Sequence, residues 1–277
     1  MKDLLEKYYK IKIENFLEEG LFCVDGLLYY FVKTEYDEEY LHMLEEMIVE
    51  LKRYNIRLHE FVYNINGELK SEEYVLFKTN VIKYKIDLDD IKLFCLPASD
   101  FMNKYYIPME KFWEEKIDYI EYQLQQLSDK RIINNTFDYF YGICEIIIYN
   151  LKKYSFSGNL YLSHRIFNLN SLEFYSPLNI TVDLYFRDIA AYIRTNHDRE
   201  MLLEYLDNFK YSYYEYCYFF SRMVMPYEYF NLLSDALLDD KVNDFINYVN
   251  EIERYEGYLK EIQDLFGVYW FKWLKKE

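Results

Sequence analysis

The residue types that most often do chemistry are thinly spread along this chain. Its four histidines, His42, His59, His164 and His197, lie too far apart in sequence to suggest a metal cluster. The cysteines, Cys23, Cys95, Cys144 and Cys217, form no CxxC pair and read as buried thiols in a reducing compartment. No GxSxG, HExxH, GxxxxGK[ST] or GxGxxG occurs, which removes the common hydrolase, metalloprotease, P-loop and dinucleotide readings. What remains is one polar stretch around a histidine, Leu162-Ser163-His164-Arg165-Ile166-Phe167-Asn168. It is followed by Val182-Asp183-Leu184-Tyr185-Phe186-Arg187-Asp188-Ile189-Ala190. On its own, His164 reads as a loop histidine bonded to backbone. Asp188 stands at a helix start, where a carboxylate caps free N–H groups and meets the positive end of the dipole.

The elements that must position these residues change character along the 277-residue chain. The first hundred residues look strand-rich, with Lys12–Leu17 and Leu27–Lys33 carrying the β-branched and aromatic residues that suit pleated surfaces. Asp25-Gly26 between strand-like runs predicts a hairpin. Leu41, Leu44, Met47, Ile48, Leu51 and Tyr54 repeat at helical spacing, with acids on the other positions. A second hairpin is expected from His59–Tyr63 and Glu73–Phe77 through Asn66-Gly67, and Leu96-Pro97-Ala98-Ser99 is the expected hinge. Beyond it, residues 108–128 and 136–153 read as long helices, 159–183 as a strand-and-loop interlude, and the remainder as helical. Val242, Phe245, Val249, Ile252, Leu259, Ile262 and Phe266 form one continuous stripe. The expectation is an α+β chain with a small antiparallel-sheet N-terminal lobe over 1–96 and a larger helical lobe over 97–277.

That layout is a kinase layout, and the His164–Ala190 stretch resembles the aminoglycoside/choline phosphotransferase branch of the protein-kinase-like superfamily. This family carries a His-Gly-Asp catalytic loop, then a metal-binding Asp, then Asp-Leu-Ala or Asp-Ile-Ala opening the next helix. More narrowly, the contracted metal segment and Phe219–Phe230 resemble the kinase-like proteins associated with the spore coat of Firmicutes. The resemblance implies a metal slot at Asp183, a bracing role for Asp188, and a catalytic carboxylate at the place held by Ile166. Isoleucine can neither orient an attacking hydroxyl nor accept its proton. No Asp or Glu lies between Gly158 and Leu172 to take over that duty. Asn168 and Asn170 are the available second metal ligands.

The nucleotide end is equally thin. The resemblance calls for a strand lysine paired with a helix glutamate, and Lys33 with Glu45 or Glu46 is the conceivable pair. Glu18-Glu19-Gly20-Leu21-Phe22, however, sets two carboxylates where a triphosphate would approach. The expected function is therefore a catalytically degenerate kinase-like (pseudokinase) protein acting as a binding or scaffold module, without cofactor. Two alternatives stand beside it: an active small-molecule phosphotransferase using ATP and Mg²⁺, and a helical adaptor unrelated to kinases.

Partners are constrained by charge. A formal charge of −16 repels nucleic acid. No run approaches the length needed to span a bilayer, and the charged N-terminus lacks a signal-peptide core, so a cytoplasmic protein is expected. A protein partner is anticipated at the aromatic run Tyr211–Phe220, if its rings are not consumed by the core. The terminal Tyr269–Lys276 segment reads as a helix end whose lysines complement the dipole.

Overall fold

The computed structural model describes residues 1–79, 85–98, 103, 106–125, 131–156, 158–238 and 242–274. By its internal contacts the chain packs as two units, Met1–Pro97 with Tyr161–Val182, and Ala98–Leu160 with Asp183–Glu277. The first break falls between Pro97 and Ala98, within the stretch expected as the hinge. Ser99 of the expected hinge lies outside the described residues.

The first unit is built on a five-stranded antiparallel sheet of order β1-β2-β5-β3, with β4 also on β5. Its strands are β1 (Leu21–Val24), β2 (Leu27–Lys33), β3 (Glu60–Val62), β4 (Lys70–Ser71) and β5 (Tyr74–Thr79). Asp25 (φ 51°) and Gly26 (φ 77°) make the two-residue turn joining β1 to β2, as their types predict. β3 pairs with β5 through Phe61 opposite Phe77, while β4 reaches β5 through its own turn at Glu72, φ 59°. The expected strand at Lys12–Leu17 does not form. Helix α1 (Lys2–Tyr9) takes the N-terminus instead, and its Leu5 is buried against Phe22, Phe31 and Leu76. Helix α2 (Glu38–Lys52) is capped by Asp37, which accepts from the Tyr40 N–H at 2.8 Å, and buries the predicted stripe from Leu41 to Leu51. Helix α3 (Leu88–Phe94) completes this part.

The helical unit begins with α4 (Met109–Gln125) and α5 (Arg131–Leu151), packed on each other. Residues 126–128 of the expected first helix lie outside the described residues. The interlude, which belongs to the first unit up to Val182, holds β6 (Tyr161–His164), the short α6 (Ser171–Phe174) and β7 (Ile180–Asp183), with β6 and β7 paired. Then follow α7 (Phe186–Asn196), α8 (Arg199–Asp207), α9 (Tyr213–Val224), α10 (Tyr227–Leu238), α11 (Val242–Val249) and α12 (Ile252–Phe266). The single stripe predicted over 242–266 is thus broken into two helices at Asn250–Glu251. Gly267, at φ 64°, ends α12 before the aromatic terminus, so Tyr269–Leu274 is not the helix end expected, and Lys275–Lys276 lie outside the described residues. α9 is the central helix, packing on α5, α7 and α12. Cys144 and Cys217 are buried as expected, whereas Cys23 is exposed on β1.

Gly20 is the most constrained glycine. It has φ +74°, its carbonyl accepts from Phe31 N–H at 2.9 Å, and a Cβ there would lie 2.4 Å from the Phe31 carbonyl oxygen. Gly26 has a similar φ but open space around it. Gly26→Ala is therefore expected to cost about 1–2 kcal/mol, the strain of a left-handed alanine. Gly20→Ala should cost clearly more, because strand β2 must also move away. Equal losses in urea denaturation would contradict this account.

Candidate functional site

In the first unit, β6 delivers His164 into the interior rather than to a reaction centre. The ring is buried, stacks on Phe174 with centroids 4.0 Å apart, and its Nε2 lies 3.0 Å from the Phe174 carbonyl. His59 does the same one residue pair earlier, its Nε2 at 3.0 Å from the Leu172 carbonyl. Burial holds the His59 pKa down at about 4, so this imidazole is neutral at physiological pH. Both histidines thus fasten α6 to its surroundings.

Ile166 leaves its side chain 72 % exposed. Its main chain is held by a residue the sequence reading missed, Asn179. The Asn179 carboxamide accepts from Ile166 N–H at 2.9 Å and donates to the carbonyls of Ile166 (2.9 Å) and Glu173 (3.1 Å), while its own carbonyl accepts from Arg165 N–H. An asparagine beside a turn carries no recognisable sequence signal, since it reads as ordinary loop polarity. Asn168 and Asn170, the candidate metal ligands, spend their oxygens locally. Asn168 Oδ1 accepts from Asn170 N–H, and Asn170 Oδ1 accepts from Leu172 N–H as the cap of α6.

The conceivable Lys33–Glu45 pair is not formed. Lys33 ends β2 as expected, but its Nζ lies 2.8 Å from Glu73 on the surface. Glu45 accepts from the Tyr63 hydroxyl at 2.6 Å, which pushes that phenol up to about 12. The cross-strand neighbour Tyr74 brings Glu73 to Lys33, and helix α2 faces Glu45 toward the loop after β3. Gly20 serves the approach of two backbones, as described above.

In the second unit, Asp183 closes β7 with 1 % exposure. Its Oδ1 accepts from Leu184 N–H at 2.8 Å, and its Oδ2 meets two guanidinium groups, Arg187 at 2.5 Å and Arg222 at 2.6 Å. Burial pushes the carboxyl pKa up, but Arg222 and then Arg187 outweigh it, and the net shift is downward. Asp183 therefore stays ionised as ordinary carboxylates protonate. Its contribution to stability is complete above the unfolded value of about 3.9 and is lost as pH falls through the lower folded value. Arg222 is fixed in turn by Tyr218, whose hydroxyl accepts from Nε at 2.8 Å, and by Tyr227, whose hydroxyl accepts from Nη1 at 2.9 Å. Arg194 donates to the Arg222 carbonyl and lies over the Tyr227 ring.

Asp188 lies in the first turn of α7, buried, where its charge meets the helix dipole. The N-cap position belongs to Tyr185, whose side chain makes no cap bond, so Asp188 stands at the third helical position, within the first turn where a carboxylate was expected to act. The Tyr211–Phe220 run is mostly core: Tyr214, Cys217, Tyr218, Phe219 and Phe220 are buried on α9. Tyr211 and Tyr213, at the start of the run, are exposed.

Two substitutions separate the residue that holds this loop from the one whose side chain is exposed on it. Asn179→Ala removes three side-chain hydrogen bonds and is expected to cost about 2–3 kcal/mol. Ile166→Asp changes an exposed side chain and is expected to stay within about 0.5 kcal/mol of the parent. Denaturation curves with the two results reversed would overturn this assignment.

No protein-family model matches the sequence, and no curated protein is significantly similar to it. Solved structures are similar in fold. An aminoglycoside phosphotransferase from Alicyclobacillus acidocaldarius superposes with a TM-score of 0.61 at 8 % identity, covering 92 % of each chain. The structure described as the gentamicin–APH(2")-IIa complex gives 0.51 at 12 % identity, covering 95 % of this chain and 94 % of that one. The helical-adaptor alternative falls on these likenesses and on the five-stranded sheet. The resemblance read from His164 to Ala190 is thus shown at the level of the fold: the chain is α+β with the protein-kinase-like fold of aminoglycoside phosphotransferases.

Proposed function

We propose that this chain is a catalytically degenerate member of the kinase-like fold, acting as a binding or scaffold module rather than as a phosphotransferase. The observation that carries the reading is the state of Asp183. In the resemblance this carboxylate would hold Mg²⁺, yet its Oδ2 is shared by Arg187 and Arg222. A dication about 4 Å from one fixed guanidinium meets roughly 8 kcal/mol of repulsion at an effective dielectric constant near 20. The donor set does not fit the metal: the acid is paired with two cations, and the oxygens of Asn168 and Asn170 accept from backbone N–H groups. Among the described residues no three His, Cys, Asp or Glu side chains gather to hold a metal ion.

Two further features support the same reading. Isoleucine replaces the acid that would receive the acceptor's proton, and Lys33 is paired with Glu73 rather than with a glutamate of α2. The folded scaffold does not need these groups. The histidine contacts, the Asn179 bonds and the Asp183 pair hold structure without substrate. A spore-coat setting rests on the sequence resemblance alone. No described helix is long and apolar enough to cross a membrane.

Melting curves test the reading. A ligand that binds only the native state at 100 times its Kd stabilises by about 2.7 kcal/mol. We expect no rise in melting midpoint with ATP and Mg²⁺ together beyond that seen with either alone. A saturable, metal-linked rise that disappears in Asp183→Asn would overturn degeneracy in favour of an active phosphotransferase.

A further inference from the structure

Helix α4 has two seams. Met109, Trp113, Ile117, Ile120 and Leu124 are buried and anchor it in the second unit. On its outer side Phe112, Tyr119 and Tyr122 are exposed, the two tyrosines to 61 % each. Their spacing of seven and then three residues puts them on one face. Single exposed aromatics are ordinary, but three aligned on one helix face make the kind of surface interfaces recruit.

The charges around this stripe are one-sided. Glu114 is paired with Lys152 at 2.6 Å and Glu115 with Lys111 at 3.9 Å. Lys116 lies over the Trp113 ring and is directed at Asn231. Asp118 and Glu121 of α4 and Glu145 of α5 meet no cation among the described residues, and all three act on the same phenol, Tyr141. Like charges gathered within a Debye length, on a chain of formal charge −16, repel one another until something neutralises them. A second copy of this chain would bring the same acids to the contact. An anionic lipid or nucleic acid would be repelled as well.

We propose that the outer face of α4, continued onto α5 at Tyr141 and Glu145, docks a Lys/Arg-rich amphipathic segment of a partner protein. The apolar side chains of that segment lie along Phe112, Tyr119 and Tyr122. Its cations face Asp118, Glu121 and Glu145 and stack on the exposed tyrosine rings. This inference holds whether or not Asp183 accepts a metal, so it stands or falls separately from the proposed loss of catalysis.

The test uses the full chain and two labelled synthetic helical peptides with one leucine face, flanked in one by Lys and Arg and in the other by Glu. Fluorescence anisotropy should show saturable binding of the basic peptide only, weakening with added salt. Tyr119→Ser with Tyr122→Ser, and separately Asp118→Lys with Glu121→Lys, should each weaken it about tenfold or more. Glu200→Lys with Glu204→Lys on α8 changes the net charge equally and should leave binding within about twofold. Because the altered side chains are exposed, melting midpoints report whether each variant is folded. Hydrogen-exchange protection of the parent chain by the basic peptide should centre on α4, which locates the contact without any substitution. Absence of saturable binding below about 1 mM, equal loss in the α8 variant, or protection elsewhere would overturn the proposal. So would a dimer in sedimentation that the Tyr119/Tyr122 variant abolishes, because the occupant would then be a second copy.

Discussion

Asp183 is a buried carboxylate that remains charged because two guanidinium groups share one of its oxygens, and much of the helical unit is arranged around that fact. An isolated ion in such a place would cost several kcal/mol of desolvation, so the interaction survives only with complete partnering. The partners are drawn from well-separated parts of the chain. β7 supplies the acid, α7 supplies Arg187, and α9 supplies Arg222 and Tyr218, with Tyr227 opening α10. This is a tie between elements.

The first unit follows the same logic with neutral groups. His59 and His164 both approach carbonyls of α6, and Asn179 holds both polar groups of the Ile166 main chain. The loop at Ile166 is closed on itself by Asn179, and the isoleucine side chain is left to solvent. Polar atoms that would serve a ligand serve the backbone.

Much of the fold was legible in the sequence, for definite reasons. Asp25-Gly26 specifies a two-residue turn, the Leu41–Leu51 stripe specifies a buried helix face, and the element order suggested the kinase-like layout that the structural likenesses show. Lys12–Leu17 was misread because alternation there reflects packing of an irregular segment against the sheet, where Ile13 and Phe16 touch the core from outside any strand. The 242–266 stripe was read as one helix because apolar periodicity passes unbroken through Asn250–Glu251, where the backbone does not. At the site, the exposed Ile166 stood in a readable loop. The fate of Asp183 was not legible, since Arg222 is 39 residues away and only the fold brings it close. The aromatic run at Tyr211–Phe220 pointed to α9, whose rings the core consumes, while the exposed stripe of α4 is spread over three turns and draws no notice as a string of letters.

The most direct measurement is a double-mutant cycle on Asp183 and Arg222, using Asp183→Asn, Arg222→Met and their combination in urea denaturation. If the carboxylate is committed to the guanidinium, each single change should cost about 3–5 kcal/mol, because it strands a buried charge. The double change should then cost at least about 2 kcal/mol less than the sum of the two. Additivity within about 0.5 kcal/mol would contradict the account, since Asp183 would then be energetically independent of Arg222.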